Sequence, residues 1–312
     1  MAFLRSCLAA FLILFAPVSA PAQIGDGDWL YRGSDIPPDP AWRFGTLPNG
    51  VRYAVRRNAM PPGQVSIRVR INAGSLHEAD HERGWAHLIE HLAFRGTPGF
   101  GDREARHIWQ SLGVSFGSDS NAVTTPTQTV YQLDLPDADR ADLDTSLRII
   151  AEMMDKALID PAAVEAEKKI VLQEKNRRSE LSERMRATSW PLFYAGLRIT
   201  ERDTIGTEAT LKAADAAGVR AFYERWYRPE RATVIIAGDG DPALMEELIA
   251  KNFSGWSATG PAPQEPDFGR PGEPSRRTAT LAYPGVPHSA SVMWLRPYIV
   301  RPNTKAREKE DL

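Results

Sequence analysis

The chain has 312 residues, 42% hydrophobic and 25% charged, enough for a packed core in one large domain or two smaller ones. A formal net charge of −2 offers no basic surface for a polyanion, which argues against nucleic acid as a partner. The single cysteine, Cys7, excludes a disulfide framework and leaves the body of the chain without a thiol nucleophile.

At the N-terminus Arg5 precedes an apolar run over 8–18, followed by the small residues Ser19, Ala20 and Ala22. This is the layout of a secretory signal peptide over 1–22, too short for a membrane span. Cys7 comes too early to serve as a lipid-attachment site. A cysteine-free exported chain points to the bacterial periplasm, and no second apolar stretch approaches spanning length, so the mature chain is expected to have no integral membrane segment.

Residues 23–41, rich in Pro, Gly and Asp, read as an extended lead-in. Strands are predicted over 42–47 and 51–57 around the turn Pro48-Asn49-Gly50, a strong hairpin signal. Val65, Ile67, Val69 and Ile71 alternate with Ser66, Arg68 and Arg70, as in a strand with one buried face. The loop over 73–83 contains His77 and His81, four apart. Glu78, Asp80 and Glu82 around them suggest a solvated acidic loop rather than a second metal site. The next helix carries His87, Glu90 and His91 and ends near Gly96, and a second is expected over 103–112.

Polar, β-branched segments over 115–125 and 129–135 predict a further strand pair, interrupted at Pro126. Helices are predicted over 141–158, over 162–186 behind the Asp160-Pro161 cap signal, and within 207–225. A short apolar strand over 232–237 precedes a helix over 242–253. Five prolines make 257–277 linker-like, and strand-like patterns follow over 278–283 and 289–295. His107 and His288 lack sequence partners, and the aromatic cluster over 222–227 reads as core packing.

The chemistry concentrates in His87-Leu88-Ile89-Glu90-His91, the inverse of the commoner H-E-x-x-H zinc helix. Two imidazoles four residues apart project from one helix face and can reach one metal ion. Glu90, beside the second histidine, is placed to take a proton from water at that metal. A catalytic zinc site needs a third protein ligand. The long helix after Pro161 offers Glu165, Glu167, Glu174 and Glu180, of which Glu167 and Glu174, seven apart, share a face.

The run 84–97, Gly-Trp-Ala-His-Leu-Ile-Glu-His-Leu-Ala-Phe-Arg-Gly-Thr, resembles the signature of the pitrilysin/insulinase family of zinc metallopeptidases. The stretch 44–53 resembles the family's opening hairpin. Asn121-Ala122-Val123-Thr124 with Val130-Tyr131 resembles its substrate-side strands, and 165–174 resembles its downstream carboxylate helix. Ile205-Gly206-Thr207 and the aromatics at 222, 223, 226 and 227 fit its later landmarks, so the likeness covers about 42–300.

The resemblance implies an α+β fold, an antiparallel sheet packed by helices. It would form a metallopeptidase domain over 42–256, a linker over 257–277 and the truncated start of a second, non-catalytic domain over 278–312. It implies Zn2+ bound by His87, His91 and Glu174, with Glu167 supporting from behind and Glu90 as general base. An extended peptide would lie along an edge strand and contact Asn121. Family members close their chamber with a second half, so a partner half or a homo-oligomer is implied. The expected function is a zinc-dependent endopeptidase or oligopeptidase. The alternative is a catalytically incomplete fragment or subunit that binds zinc and peptide. The gap between His91 and Glu174 is slightly longer than the family's usual one, with the extra residues near Thr125 to Gln128, a hairpin tip that tolerates insertion.

Overall fold

The computed structural model describes residues 29–137, 139–272, 277–287, 289–293 and 301–311. The predicted signal peptide over 1–22, His288 and residues 294–295 of the last predicted strand lie outside them. The chain divides into two compact units. The smaller joins a 3-10 turn, Leu30–Gly33, to a helix, Lys305–Asp311, whose first amide donates to Asp35 at 2.8 Å. The larger, residues 38–297, contains the functional motif.

Among the described residues of the larger unit, six strands form one sheet. They are β1 (Trp42–Thr46), β2 (Arg52–Arg57), β3 (Val65–Ile71), β4 (Ser120–Thr124), β5 (Thr129–Leu135) and β6 (Ala232–Gly238), in the order β1-β2-β6-β3-β5-β4. The predicted hairpin forms with Trp42 opposite Arg56. Gly50 takes φ +97°, which its lack of a Cβ permits, and the Asn49 amide donates to the carbonyls of Phe253 and Trp256. Val65, Ile67, Val69 and Ile71 are all buried, as their alternation demands.

Four of the five pairings are antiparallel, while β2 and β6 run parallel. The sheet is therefore mixed. Alternating hydrophobicity fixes which face of a strand is buried and carries no information about its direction. Direction was free here because β2 and β6 are joined by a long connection instead of a tight turn.

Helices α1 (Trp85–Ala93), α2 (Glu104–Ser111), α3 (Arg140–Asp155), α4 (Pro161–Arg177), α5 (Glu180–Phe193), α6 (Glu208–Ala213), α7 (Ala216–Trp226) and α8 (Pro242–Phe253) complete the unit. Helix α1 buries Trp85, Leu88, Ile89 and Leu92 and packs on β4, β5, α4 and α7. Helices α3 and α8 pack together, with α8 also against β2. The aromatics Phe222, Tyr223, Trp226 and Tyr227 are buried, as expected of core residues.

Several elements differ from expectation. The helix predicted over 162–186 is two helices, because the Ser179 hydroxyl accepts the Ser182 amide and starts α5 afresh. The segment 207–225 is likewise split, with Thr207 capping α6 and Asp215 capping α7. Only Ser120–Thr124 of the strand predicted over 115–125 forms, because Asp119 folds back to accept the Ser115 amide.

The loop over 73–83 is not a solvated acidic loop. His77, Glu78 and Glu82 are buried, and exposure is confined to Asp80 and His81. The linker-like segment up to Gly272 lies on the domain: Gly269 bridges Leu197, Glu265 pairs with Arg231, and Gly272 donates to Ala195. Among the described residues of 278–293 there is no strand. Isolated β-branched runs there have no sheet partner to pair with.

Candidate metal centre

Helix α1 starts at Gly84, whose φ of +93° is open to glycine, and a Cβ there would lie 2.9 Å from the carbonyl oxygen of Ile205. The 3.6-residue turn brings His87 and His91 onto one face, ring centroids 4.8 Å apart and nearly perpendicular. Helix α4 supplies the opposite wall. The Asp160 carboxylate caps it at the Ala163 amide, with Pro161 in its first turn.

Of the four glutamates left open by sequence, Glu174 faces both rings. Its Oε2 lies 3.6 Å from Nε2 of His87 and 3.7 Å from Nε2 of His91. Glu167 reaches Nδ1 of His91 at 3.1 Å. Glu165 pairs with Lys168, and Glu180 lies on α5 and pairs with Arg184.

These distances test the fit of a metal. Separations of 3.6 and 3.7 Å are too long for hydrogen bonds. Ligand bonds of about 2.1 Å at tetrahedral angles would place donor atoms about 3.4 Å apart. Two imidazoles and one carboxylate, all within 4.8 Å of one another, match both the spacing and the chemistry of a zinc donor set.

Electrostatics prepare the histidines differently. Burial, then His91 and Arg178, pulls the His87 pKa down to about 3, so the ring is neutral with a lone pair to give. Burial also opposes charge on His91. There the Glu167 hydrogen bond and the carboxylates of Glu90 and Glu174 outweigh it and raise its pKa. Glu167, itself buried, orients the ring with a proton on Nδ1 and Nε2 toward Glu174. Arg95, one turn beyond His91, lies 3.6 Å from the other oxygen of Glu167.

Glu90 is 8% exposed, and burial raises its pKa. The Thr124 hydroxyl donates to its Oε2 and partly offsets that rise. Sequence reasoning passed over Thr124, although the signal was there. The period of two in β4 turns Ser120, Ala122 and Thr124 to the face that packs on α1. Asn121 alternates with them and is exposed on β4, an edge strand of the sheet. Arg95 and Glu78 were also missed, since neither has a motif of its own.

A family profile described as Insulinase (Peptidase family M16) matches residues 53–190, and the M16 inactive-domain profile matches 214–299. The probable zinc protease PqqL of Haemophilus influenzae is 34% identical over 251 residues, covering 80% of this chain and 27% of that protein. Its Escherichia coli counterpart is also 34% identical, over 70% of this chain and 24% of its own length. The crystal structure of the periplasmic protease PqqL from E. coli superposes with a TM-score of 0.70 at 33% identity, over 73% of this chain and 25% of that one. The ferredoxin protease FusC gives 0.67 at 30% identity, over 72% of this chain and 25% of that one. The chain thus spans about a quarter of the length of these relatives. Two profiles of one family in their order, on a sheet shared with its solved members, establish that this chain belongs to the insulinase family of peptidases, M16, and spans its N-terminal domain and the start of its inactive one.

Proposed function

We propose that this chain carries the metal-binding and proton-transfer machinery of a zinc-dependent endopeptidase or oligopeptidase. The observation that carries the reading is the convergence of His87, His91 and Glu174 on one space, beside the buried carboxylate of Glu90. Zinc, when held by those three residues, supplies Lewis acidity to water and to a peptide carbonyl. Glu90 accepts a proton from the attacking water at its carboxylate and delivers it to the leaving amine. Its raised affinity for a proton, set by burial, suits both halves of that transfer. Glu167 keeps His91 in the tautomer that presents Nε2. Strand β4 lies at an edge of the sheet, where an extended peptide would run with Asn121 beside its path, and Thr124 ties that strand to Glu90.

The purified chain should contain about one zinc by elemental analysis. Glu90→Gln should retain it and lose hydrolysis of unfolded peptides by several orders of magnitude. A folded sample without zinc would overturn the site. A second reading rests on the chain's quarter share of its relatives' length. In it, the chain binds zinc and peptide but needs a partner half for turnover. Zinc without cleavage would favour it. Export to the periplasm is supported by the leader-like pattern over 1–22 and by the periplasmic relative. It is tested by finding the mature chain in a periplasmic extract.

A further inference from the structure

Helix α1 has an N-terminus that cannot cap itself. Gly84 has no side chain, and the first turn contains no acidic residue. A capping serine or aspartate at that position is barred by the left-handed backbone and by the Ile205 carbonyl oxygen and Gly206 Cα, 2.9 and 3.0 Å from where a Cβ would sit. The first amides of the metal-binding helix must therefore find their acceptors elsewhere.

They find them six and eight residues upstream. The Gly84 amide donates to one oxygen of Glu78 at 3.0 Å, and the Ala86 amide donates to the other at 2.9 Å. Glu78 is fully buried. Its backbone is gripped in turn: Arg198 and Arg202 both donate to its carbonyl oxygen, at 2.5 and 3.2 Å. Arg202, 2% exposed, also pairs with Asp80, and its own carbonyl accepts the Ser75 hydroxyl. The carboxylate thus belongs to a fixed frame, with both oxygens aimed at the positive end of α1.

We propose that Glu78 is a positioning residue for the metal centre: its bidentate grip on the first turn of α1 fixes the backbone from which His87 projects. The proposal rests on the reading of His87, His91 and Glu174 as a metal site. Ala86 directly precedes His87, whereas His91 lies a full turn deeper and is braced by Glu167. Loosening the first turn would therefore displace one ligand relative to the other two. Glutamine at position 78 keeps the shape but offers one carbonyl oxygen, so one of the two amides loses its acceptor.

The test uses the full metal-free chain, titrated with Zn2+ against a competing chelator and with Co2+ followed by its visible absorption. Glu78→Gln is expected to weaken Zn2+ binding about 10-fold or more and to alter the Co2+ bands, with the far-ultraviolet circular dichroism unchanged. A folded Glu78→Gln chain with wild-type affinity and spectrum overturns the proposal and leaves the site reading intact. A wild-type chain that takes up neither metal overturns the site reading, and the proposal with it. Should the variant not fold, hydrogen exchange in the metal-free wild type decides. Gly84 and Ala86 amides protected as well as the middle of α1 support the proposal, and free exchange there overturns it.

Discussion

At the scale of single residues, the two histidines are equal in the motif and unequal in the structure. His91 has a buried carboxylate behind it, and His87 has burial and a nearby arginine. Glu167→Gln should therefore lower zinc affinity about 10-fold while leaving the fold intact, measured by chelator competition. His77 makes a prediction about pH. Burial, then Arg231, pulls its pKa down to about 4, while the Gly74 amide donates to its Nδ1 at 3.1 Å. The unfolded chain protonates this ring near pH 6.5 and the folded chain resists, so its stabilising contribution falls away as pH drops from about 6.5 towards 4. In urea unfolding, wild type should lose about 1–3 kcal/mol more than His77→Gln over that window. The spacing of His87, Glu90 and His91 was legible because helical periodicity is local. Glu174 became distinct from Glu167 through family likeness alone, since both lie on one helix face. The period of two showed the face of β4 that holds Thr124, but its bond to Glu90 depends on how a strand and a helix 34 residues apart pack together.

At the scale of elements, glycine at position 84 is a fixed point. Gly84→Ala places a Cβ against backbone atoms in a left-handed conformation, and should cost about 1–3 kcal/mol in urea unfolding of the metal-free chain. Helix termini were read well where a capping side chain sat next to the helix, as at Asp160. They were missed at Ser179 and Asp215, where a new cap interrupts a stretch still rich in helix formers. The acidic loop and the proline-rich segment misled for a common reason. Composition describes what a segment prefers alone, whereas Glu82 and Glu265 are held by Arg225 and Arg231 from distant elements. Burial of charge follows its partner, and the partner is not local.

At the scale of the molecule, the sheet depends on β6, the strand between β2 and β3. A chain ending at residue 228 lacks it and should fail to give a cooperative unfolding transition by circular dichroism. A chain spanning 38–272 should unfold cooperatively and keep one zinc. The α+β class came through the family likeness, whereas the strand order and the parallel pairing of β2 with β6 were not legible. Nothing in 232–238 states that it inserts between β2 and β3, far earlier in the chain.

That insertion has a consequence in time. All four residues of the centre, His87, Glu90, His91 and Glu174, leave the ribosome before β6 does. Until β6 arrives, the β1–β2 hairpin and the β3–β5–β4 sheet have no hydrogen bonds to each other. The two helices that carry the ligands, α1 and α4, thus precede the strand that completes their scaffold through contacts of high sequence separation. One strand sets the order of events: on the proposed reading the chain can meet a metal early but can hold the ligand geometry only late.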